Sequence, residues 1–496
     1  MLSMTRPYTL PDERALKRAI DELGRLEPAQ ALSEAAQWIE SLLGNTDLAD
    51  TVRLRALFAL DQAVHRQARA CIELYLSAVA VGSPARNSLW KCAHGHWSLV
   101  FDAYGESLVT MAAAGKGDKD AAMLAELSTR AIRAGSQCAK WDAFRHGPIT
   151  EAVWARLNLA YRLAAGQGVT RRNMRLRADR ATETNVEREY LRAFALHSLG
   201  VDQLDAYRLE LASRLIQYVL PYLELTEAPD AASLHWIDVS GAQPPARLVR
   251  TPGNSGALRF FSGVVAAQPL QDMLELVVAG EVPAPLVAAG ESVASDTHGK
   301  VASVLSHMIR SWSNEPPVRR HRRHALPGRM LVVEGLLQFA RRLAGDPNAA
   351  EPRTWQMQDA SLHGVGAETM LDEGNELAVG TLVGMHLPEG SGWRVGAVRR
   401  LWRSSSAIGP IGRIGVELLG GTPAAASVDD GSAKVDVIVL DTLKRGQPVR
   451  ILVPVPGPRA GQAIYLLCGT VPVKLSPLTT LEYGADHEIR MYLYAG

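Results

Sequence analysis

The chain has 496 residues, 47% of them hydrophobic and 21% charged, with a formal net charge of +1. That length exceeds one ordinary core and implies roughly two to four domains. The near-zero charge excludes a global attraction to nucleic acid or membrane, so any polyanion site must be a local cluster.

The N-terminal stretch Met1 to Leu10 is polar and contains Pro7, so it lacks the apolar core of a secretory leader. No run reaches the roughly 18–20 apolar residues of a membrane span. Cys71, Cys92, Cys138 and Cys468 are scattered and form no C-x-x-C pair, which fits a reducing compartment. The expectation is a soluble, cytoplasmic protein. Residues 11 to about 225 read as helices. Leu16, Ala19, Ile20 and Leu23 follow Pro11 at helical spacing. A second helix runs from Pro28 through Leu32, Ala36, Ile39 and Leu43 to Gly44-Asn45. A third covers about 48–80, with Val52, Leu57, Leu60 and Val64 as candidate core positions. Further helical spacing recurs near 88–113, 120–139, 149–166, 185–198 and 201–224. The Ala-rich helices with anchors such as Trp154, Leu157, Ala160 and Tyr161 suggest a repeat-like array, but no clean period of about 34 residues emerges. A helical bundle is the simpler reading.

The pattern changes after Pro229. Leu234 to Val239 and Leu258 to Phe261 are β-type runs separated by Gly- and Pro-rich turns. A helix over about 298–312 leads to Asn314-Glu315-Pro316-Pro317, which reads as a hinge. From 329 onward strands dominate. Candidates are Met330 through Leu337, Thr354–Met357, Ala378–Met385, Trp393–Trp402 and Ile411–Leu419. About five short strands at close spacing suggest a small barrel. A polar stretch over 422–433 precedes a last β segment, either a second small module or an addition packed on the first. The fold class expected is α+β multidomain: an N-terminal all-α bundle or repeat-like array, then a small antiparallel β-barrel with additional β segments. The domains are read as 1–225 helical, 226–296 β-rich, 297–315 connecting helix and hinge, 316–425 barrel and 426–496 C-terminal β segment.

Two short motifs stand out against this background. Arg319-Arg320-His321-Arg322-Arg323 follows the Pro-Pro break, and Asp359-Ala360-Ser361-Leu362-His363-Gly364 begins 36 positions beyond Arg323. Guanidinium forks bind phosphate oxygens or guanine O6 and N7 through paired hydrogen bonds, and their flat faces stack on purines. An Asp can accept from guanine N1–H and N2–H, and a Ser hydroxyl can donate or accept beside it. A following glycine permits close backbone approach. The pattern R-x-x-x-R followed by D-x-S-x-x-G resembles the signature of the PilZ domain, a bacterial receptor module for cyclic di-GMP. Gly396 to Trp402 and Ile414 to Leu419 look like later strands of that family, so the resemblance covers residues 316–425. It implies a barrel whose preceding arginine loop clamps the dinucleotide. Arg319 and Arg323 would then hold phosphates and guanine, Asp359 and Ser361 a guanine edge, and Gly364 the close turn. Arg320 is an additional cation in the same loop. The gap between the motifs is long for the family and reads as an insertion between strands.

Other residues carry weaker signals. His94 and His96 near Cys92 are two apart, which does not place both on one helical face, and no fourth ligand stands at a metal-site offset. Arg171, Arg172, Arg175, Arg177 and Arg180 form a basic run, but Asp179, Glu183, Glu187 and Glu189 compensate it. Ser41, Ser255 and Ser292 lack a nucleophile-elbow context, and no P-loop or dinucleotide fingerprint is present. The expectation is therefore a binding protein and not an enzyme. Cyclic di-GMP is its ligand, and an unidentified protein effector contacts the N-terminal helical domain. By family resemblance, the outputs are motility, surface attachment and biofilm, exopolysaccharide or secretion. Two rivals remain open: a nucleic-acid-binding protein using the arginine clusters, and a PilZ scaffold acting only through protein contacts. The sequence leaves the oligomeric state undetermined.

Overall fold

The computed structural model describes residues 13–45, 47–113, 121–176, 183–250, 252–253, 256–283, 286, 295–315, 321–371, 377–387, 392–406, 409–429, 431, 434–467 and 472–494. Among them the chain is an α+β protein with a helical N-terminal region and two closed β-barrels.

Among the described residues nine helices come first: α1 (Glu13–Leu23), α2 (Pro28–Gly44), α3 (Asp50–Ala63), α4 (His65–Ala80), α5 (Ala85–Ala113), α6 (Ala121–Phe144), α7 (Glu151–Gly166), α8 (Val186–Ser198) and α9 (Ala206–Val219). Pro28 occupies the first turn of α2, where its missing N–H costs nothing. Asn185 and Asp205 cap α8 and α9 by accepting the Arg188 and Arg208 amides at 2.9 and 2.8 Å. The single helix expected over 48–80 is two helices, because the chain turns at buried Val64. Val52, expected in the core, is half exposed, whereas Leu57, Leu60 and Val64 are buried. A buried ion pair, Lys140 Nζ to Glu210 Oε2 at 2.9 Å, ties α6 to α9.

Strands β1 (Glu224–Thr226), β2 (His235–Asp238), β3 (Ala246–Arg247) and β4 (Leu258–Ser262) form an antiparallel sheet in the order β1-β4-β2-β3. Helices α10 (Ala267–Val278) and α11 (Ser295–Ser311) follow. This sheet shares one core with the helices. Phe261 stacks on Phe194 of α8 with ring centres 4.9 Å apart, and Trp312 donates its indole N–H to Ser198 Oγ at 2.9 Å.

The first barrel closes in the order β10-β7-β6-β5-β8-β9, from β5 (His324–Glu334), β6 (Arg353–Ser361), β7 (Gly364–Met370), β8 (Leu382–His386), β9 (Trp393–Ser406) and β10 (Gly409–Leu418). Met330, Val332, Trp355, Val365, Ile414 and Val416 fill it. The strand expected to run through Leu337 stops at Glu334. Gly335, at φ 87°, turns the chain into helix α12 (Leu336–Leu343), which occupies the long gap between the motifs.

The second barrel closes in the order β11-β12-β13-β16-β15-β14, from β11 (Ala424–Asp429), β12 (Lys434–Val439), β13 (Pro448–Pro454), β14 (Ile464–Leu467), β15 (Pro472–Tyr483) and β16 (His487–Tyr494). The last β segment is thus both a module of its own and packed on the first. Leu336, Phe339 and Ala340 of α12 sit in one apolar cluster with Leu382, Ile438, Leu452 and Ile489, so the inserted helix is the wedge between barrels. Polar ties flank it. The Asp486 carboxylate accepts the Leu336 and Leu382 amides at 2.8 and 2.9 Å. Arg399 on β9 makes a two-pronged pair with Glu482 on β15 at 2.5 and 2.6 Å.

Candidate functional site

Strands β6 and β7 form a hairpin in which Ser361 faces Gly364 across the Leu362-His363 turn. The Ser361 hydroxyl donates to the Gly364 carbonyl at 3.3 Å and closes that turn. Two residues back, Asp359 lies opposite Gly366, next to a register shift in β6. Strand β5 pairs with β6 so that His324 meets Ala360 and Ala325 meets Asp359. That pairing delivers Arg323, the residue just before β5, to the hairpin. Arg323 Nη1 donates to Asp359 Oδ1 at 2.7 Å, with both side chains about one-third exposed at 32% and 36%. The His321 ring lies 4.4 Å from that of His363, a second contact between the two motifs. Arg323, Asp359, Ser361 and Gly364 therefore come together. Arg319 and Arg320 lie outside the described residues.

The barrel surface beside this cluster has a feature that motif reading missed. Strand registers align Asp359, Gly366, Gly415 and Arg400 in one row across β6, β7, β10 and β9. Their neighbours Val365, Ala367, Ile414 and Val416 are buried in the barrel, so by strand alternation this row faces outward. Two glycines give it a backbone floor, buried at Gly366 and flanked at Gly415 by the Arg400 side chain, with Asp359 at one end and exposed Arg400 at the other. At ordinary strand spacing those ends are roughly 14 Å apart. A flat ring can approach such a floor where any side chain would hold it off. The ion pair covers one end, since a Cβ on Gly366 would meet Asp359 Oδ1 at 2.6 Å and Arg323 Nη1 at 3.0 Å. The outward glycines in Gly364-Val365-Gly366 and Ile414-Gly415-Val416, alternating with core residues, were the available sequence signal.

The weaker candidates separate. His94 Nε2 pairs with Asp142 Oδ1 at 2.9 Å, and its ring stacks on Trp90 with centres 4.4 Å apart. His96 is buried, and that burial lowers its pKa to about 4. Cys92 Sγ instead donates to the Ala29 carbonyl at 2.9 Å. No group of three or more His, Cys, Asp or Glu is arranged to hold a metal among the described residues. In the basic run Arg171 pairs with Glu187 at 2.9 Å and Arg175 with Glu183 at 3.6 Å. Arg177 and Arg180 lie outside the described residues. No helix among the described residues is long and apolar enough to cross a membrane.

The comparison with known families bears on the helical half. Residues 14–230 match the family model described as "Cyclic-di-GMP receptor FimW, N-terminal domain". The matched stretch runs from α1 to just beyond β1 and ends before both barrels, so the Arg323–Asp359 cluster lies outside it. No curated protein matches the chain.

Proposed function

We propose that this protein is a cyclic di-GMP receptor whose ligand sits on the outer face of the first barrel, over the Gly366–Gly415 floor. The observation that carries the reading is the Arg323–Asp359 pair at 2.7 Å, which joins two motifs 36 residues apart at the edge of that floor. The helical region's likeness to the N-terminal domain of a cyclic di-GMP receptor family supports the same ligand from an independent part of the chain.

The chemistry divides among named groups. Arg319 and Arg323 supply forked donors to the phosphodiester oxygens and to guanine N7 and O6. Ligand binding would exchange part of the Arg323–Asp359 pair for contacts to phosphate, freeing Asp359 to accept from guanine N1–H and N2–H. Ser361 and Gly364 hold the hairpin turn under the base. Arg320 adds charge to the loop, and Arg400 stands where a second phosphate or base edge would reach. Output is then a protein contact of the helical region, acting on motility, attachment, biofilm or secretion, without catalysis by this chain and from the cytoplasm.

Calorimetric titration of cyclic di-GMP into the wild type and into Arg319→Ala/Arg323→Ala tests this. Saturable binding that the double substitution weakens by roughly a hundredfold, two charge-assisted contacts' worth, is expected. Folded wild-type protein that binds no cyclic di-GMP would refute the receptor reading, and equal binding by the variant would refute the residue assignment. Asp359→Ala separates it from general polyanion binding. A receptor loses affinity there, whereas a nucleic-acid binder tolerates the change and shows a steep salt dependence.

A further inference from the structure

The two barrels share one strand order. Around each barrel the neighbours run first, second, third, sixth, fifth, fourth and back to first, antiparallel throughout. That is β5-β6-β7-β10-β9-β8 in one and β11-β12-β13-β16-β15-β14 in the other. Their second-to-third hairpins therefore correspond. In the first barrel the hairpin closes at Ser361 and Gly364. In the second it closes at Leu440, whose amide donates to the Arg450 carbonyl at 3.0 Å. Two residues back from each closing pair, the row Asp359-Gly366-Gly415-Arg400 of the first barrel becomes Ile438-Leu452-Ile489-Glu482 in the second. The second row also faces outward, because the strand neighbours Val437, Val439, Ile451 and Val453 fill the barrel interior.

We propose that the second barrel is a duplicate of the first whose nucleotide face has become a protein-docking face, gripping α12 where the first barrel offers its floor to cyclic di-GMP. This rests on the receptor reading of the first barrel, and it leaves the chain one nucleotide face. Each place in the second row is taken by a side chain unfit for the dinucleotide. Ile438 replaces the carboxylate that would accept from guanine. Leu452 and Ile489 replace the two glycines, so a flat ring cannot reach the backbone. Glu482 replaces Arg400 and sets an anion where a phosphodiester would come. The stretch before β11, Leu419 to Pro423, carries no arginine. The Arg450 fork beside the row is committed to Asp441 at 2.7 and 3.0 Å and to the Leu419 carbonyl at 3.1 Å. What the face gains is an apolar seat. Ile438, Leu452 and Ile489 are buried in one cluster with Leu336, Phe339 and Ala340 of α12. The first barrel makes room for the same helix, since a Cβ on Gly384 of β8 would overlap the Phe339 ring. Glu482 meets Arg399 of β9 at 2.5 Å, so the anion that would repel a phosphodiester fastens the two barrels instead.

Two measurements on the full-length protein test the two halves. Hydrogen exchange without ligand, followed by mass spectrometry, tests the docking face. Ile489→Ala should speed exchange in residues 336–343 by roughly tenfold or more, and by more than in 424–429 and 464–467, strands away from the seat. Ile489→Val should give the same pattern, reduced to a few-fold, and serves if the larger truncation does not fold. No rise in 336–343, or an equal rise in all three segments, overturns the docking face. Calorimetry tests the nucleotide half. Lys444 and Arg445 are exposed in the turn that corresponds to Leu362-His363. Lys444→Ala/Arg445→Ala should leave cyclic di-GMP affinity within about threefold of wild type and its stoichiometry unchanged. A binding event that survives Arg319→Ala/Arg323→Ala and is removed by Lys444→Ala/Arg445→Ala would make the second barrel a nucleotide site and overturn the proposal. Wild type that binds no cyclic di-GMP refutes the receptor reading instead, and the exchange result alone then decides the docking face.

Discussion

Gly366 sits beneath the Arg323–Asp359 pair, and the first atom of any side chain there would collide with both ends of it. Those ends are the tips of flexible, partly exposed side chains, so the barrel can yield without unfolding. Gly366→Ala is therefore expected to split the pair and crowd the floor, weakening cyclic di-GMP binding by about tenfold, the worth of one charge-assisted contact. The melting temperature should change by no more than a few degrees, as for a substitution outside the core. Calorimetry and a thermal melt on the same preparation check both halves; a variant that binds as wild type removes the floor from the site. At this scale the sequence showed the motif residues of the proposed site and not the surface beside them. Asp359, Ser361 and Gly364 stood in a recognisable string, and Arg323 fell at the end of an arginine run. Gly415 and Arg400 were illegible as members of the proposed site because strand register alone puts them in a row with Asp359, and register is set by pairing between segments distant in sequence.

Buried histidines make the helical elements sensitive to acid. Burial lowers the pKa of His96 on α5 from 6.5 to about 4 and, with the nearby Arg403 charge, that of His146 after α6 to about 3. Burial and the charges of Arg247 and His197 bring His235 on β2 to about 4. A depressed histidine is neutral in the fold and protonates first in the unfolded chain. Its stabilisation is complete above pH 6.5 and drains away as pH falls towards 4. Each histidine costs at most about 1.4 kcal/mol per pH unit in that window. Urea unfolding followed by far-UV circular dichroism should give a lower midpoint at pH 5 than at pH 7, and His96→Leu should flatten the difference. Identical midpoints would mean the histidines are protonated in the folded protein. Asp486 makes a separate case at the join of β15 and β16. Its carboxylate holds one amide of α12 and one of β8, so Asp486→Ala should cost about 3 kcal/mol in urea unfolding, with loss of the tie between barrels. Element types were largely legible where punctuation marks them, as at Pro28 and Gly44. The break at Val64 was not, since it carries no glycine or proline and is fixed by packing of a buried side chain. The helix Leu336–Leu343 was read as the end of a strand and an insertion between strands because its apolar face is only three residues wide, and the second barrel supplies the surface that buries it.

For the whole molecule, a receptor needs its ligand site to alter something that a partner can read, and strand β9 is the connection available. It carries Arg400 at the end of the glycine floor and, two residues on, Trp402 against Gly147 of the helical region. The short turn Val201–Gln203 also lies against β9. A ligand at about one hundred times its dissociation constant stabilises the barrel that binds it by about 2.7 kcal/mol. The helices share in that stabilisation only if the Trp402 contact transmits it, because a ligand shifts an element only through contacts that differ between its states. Hydrogen exchange followed by mass spectrometry reads this directly. Cyclic di-GMP should slow exchange in β6 and β7 and also in residues 143–147 and 201–203. Trp402→Ala should keep the first effect, with affinity within about threefold of wild type because Trp402 lies off the row of the floor, and should lose the second. Equal protection of residues 143–147 in the variant would show that the signal bypasses that contact. No protection there in the wild type would leave the barrel a sensor uncoupled from its helices.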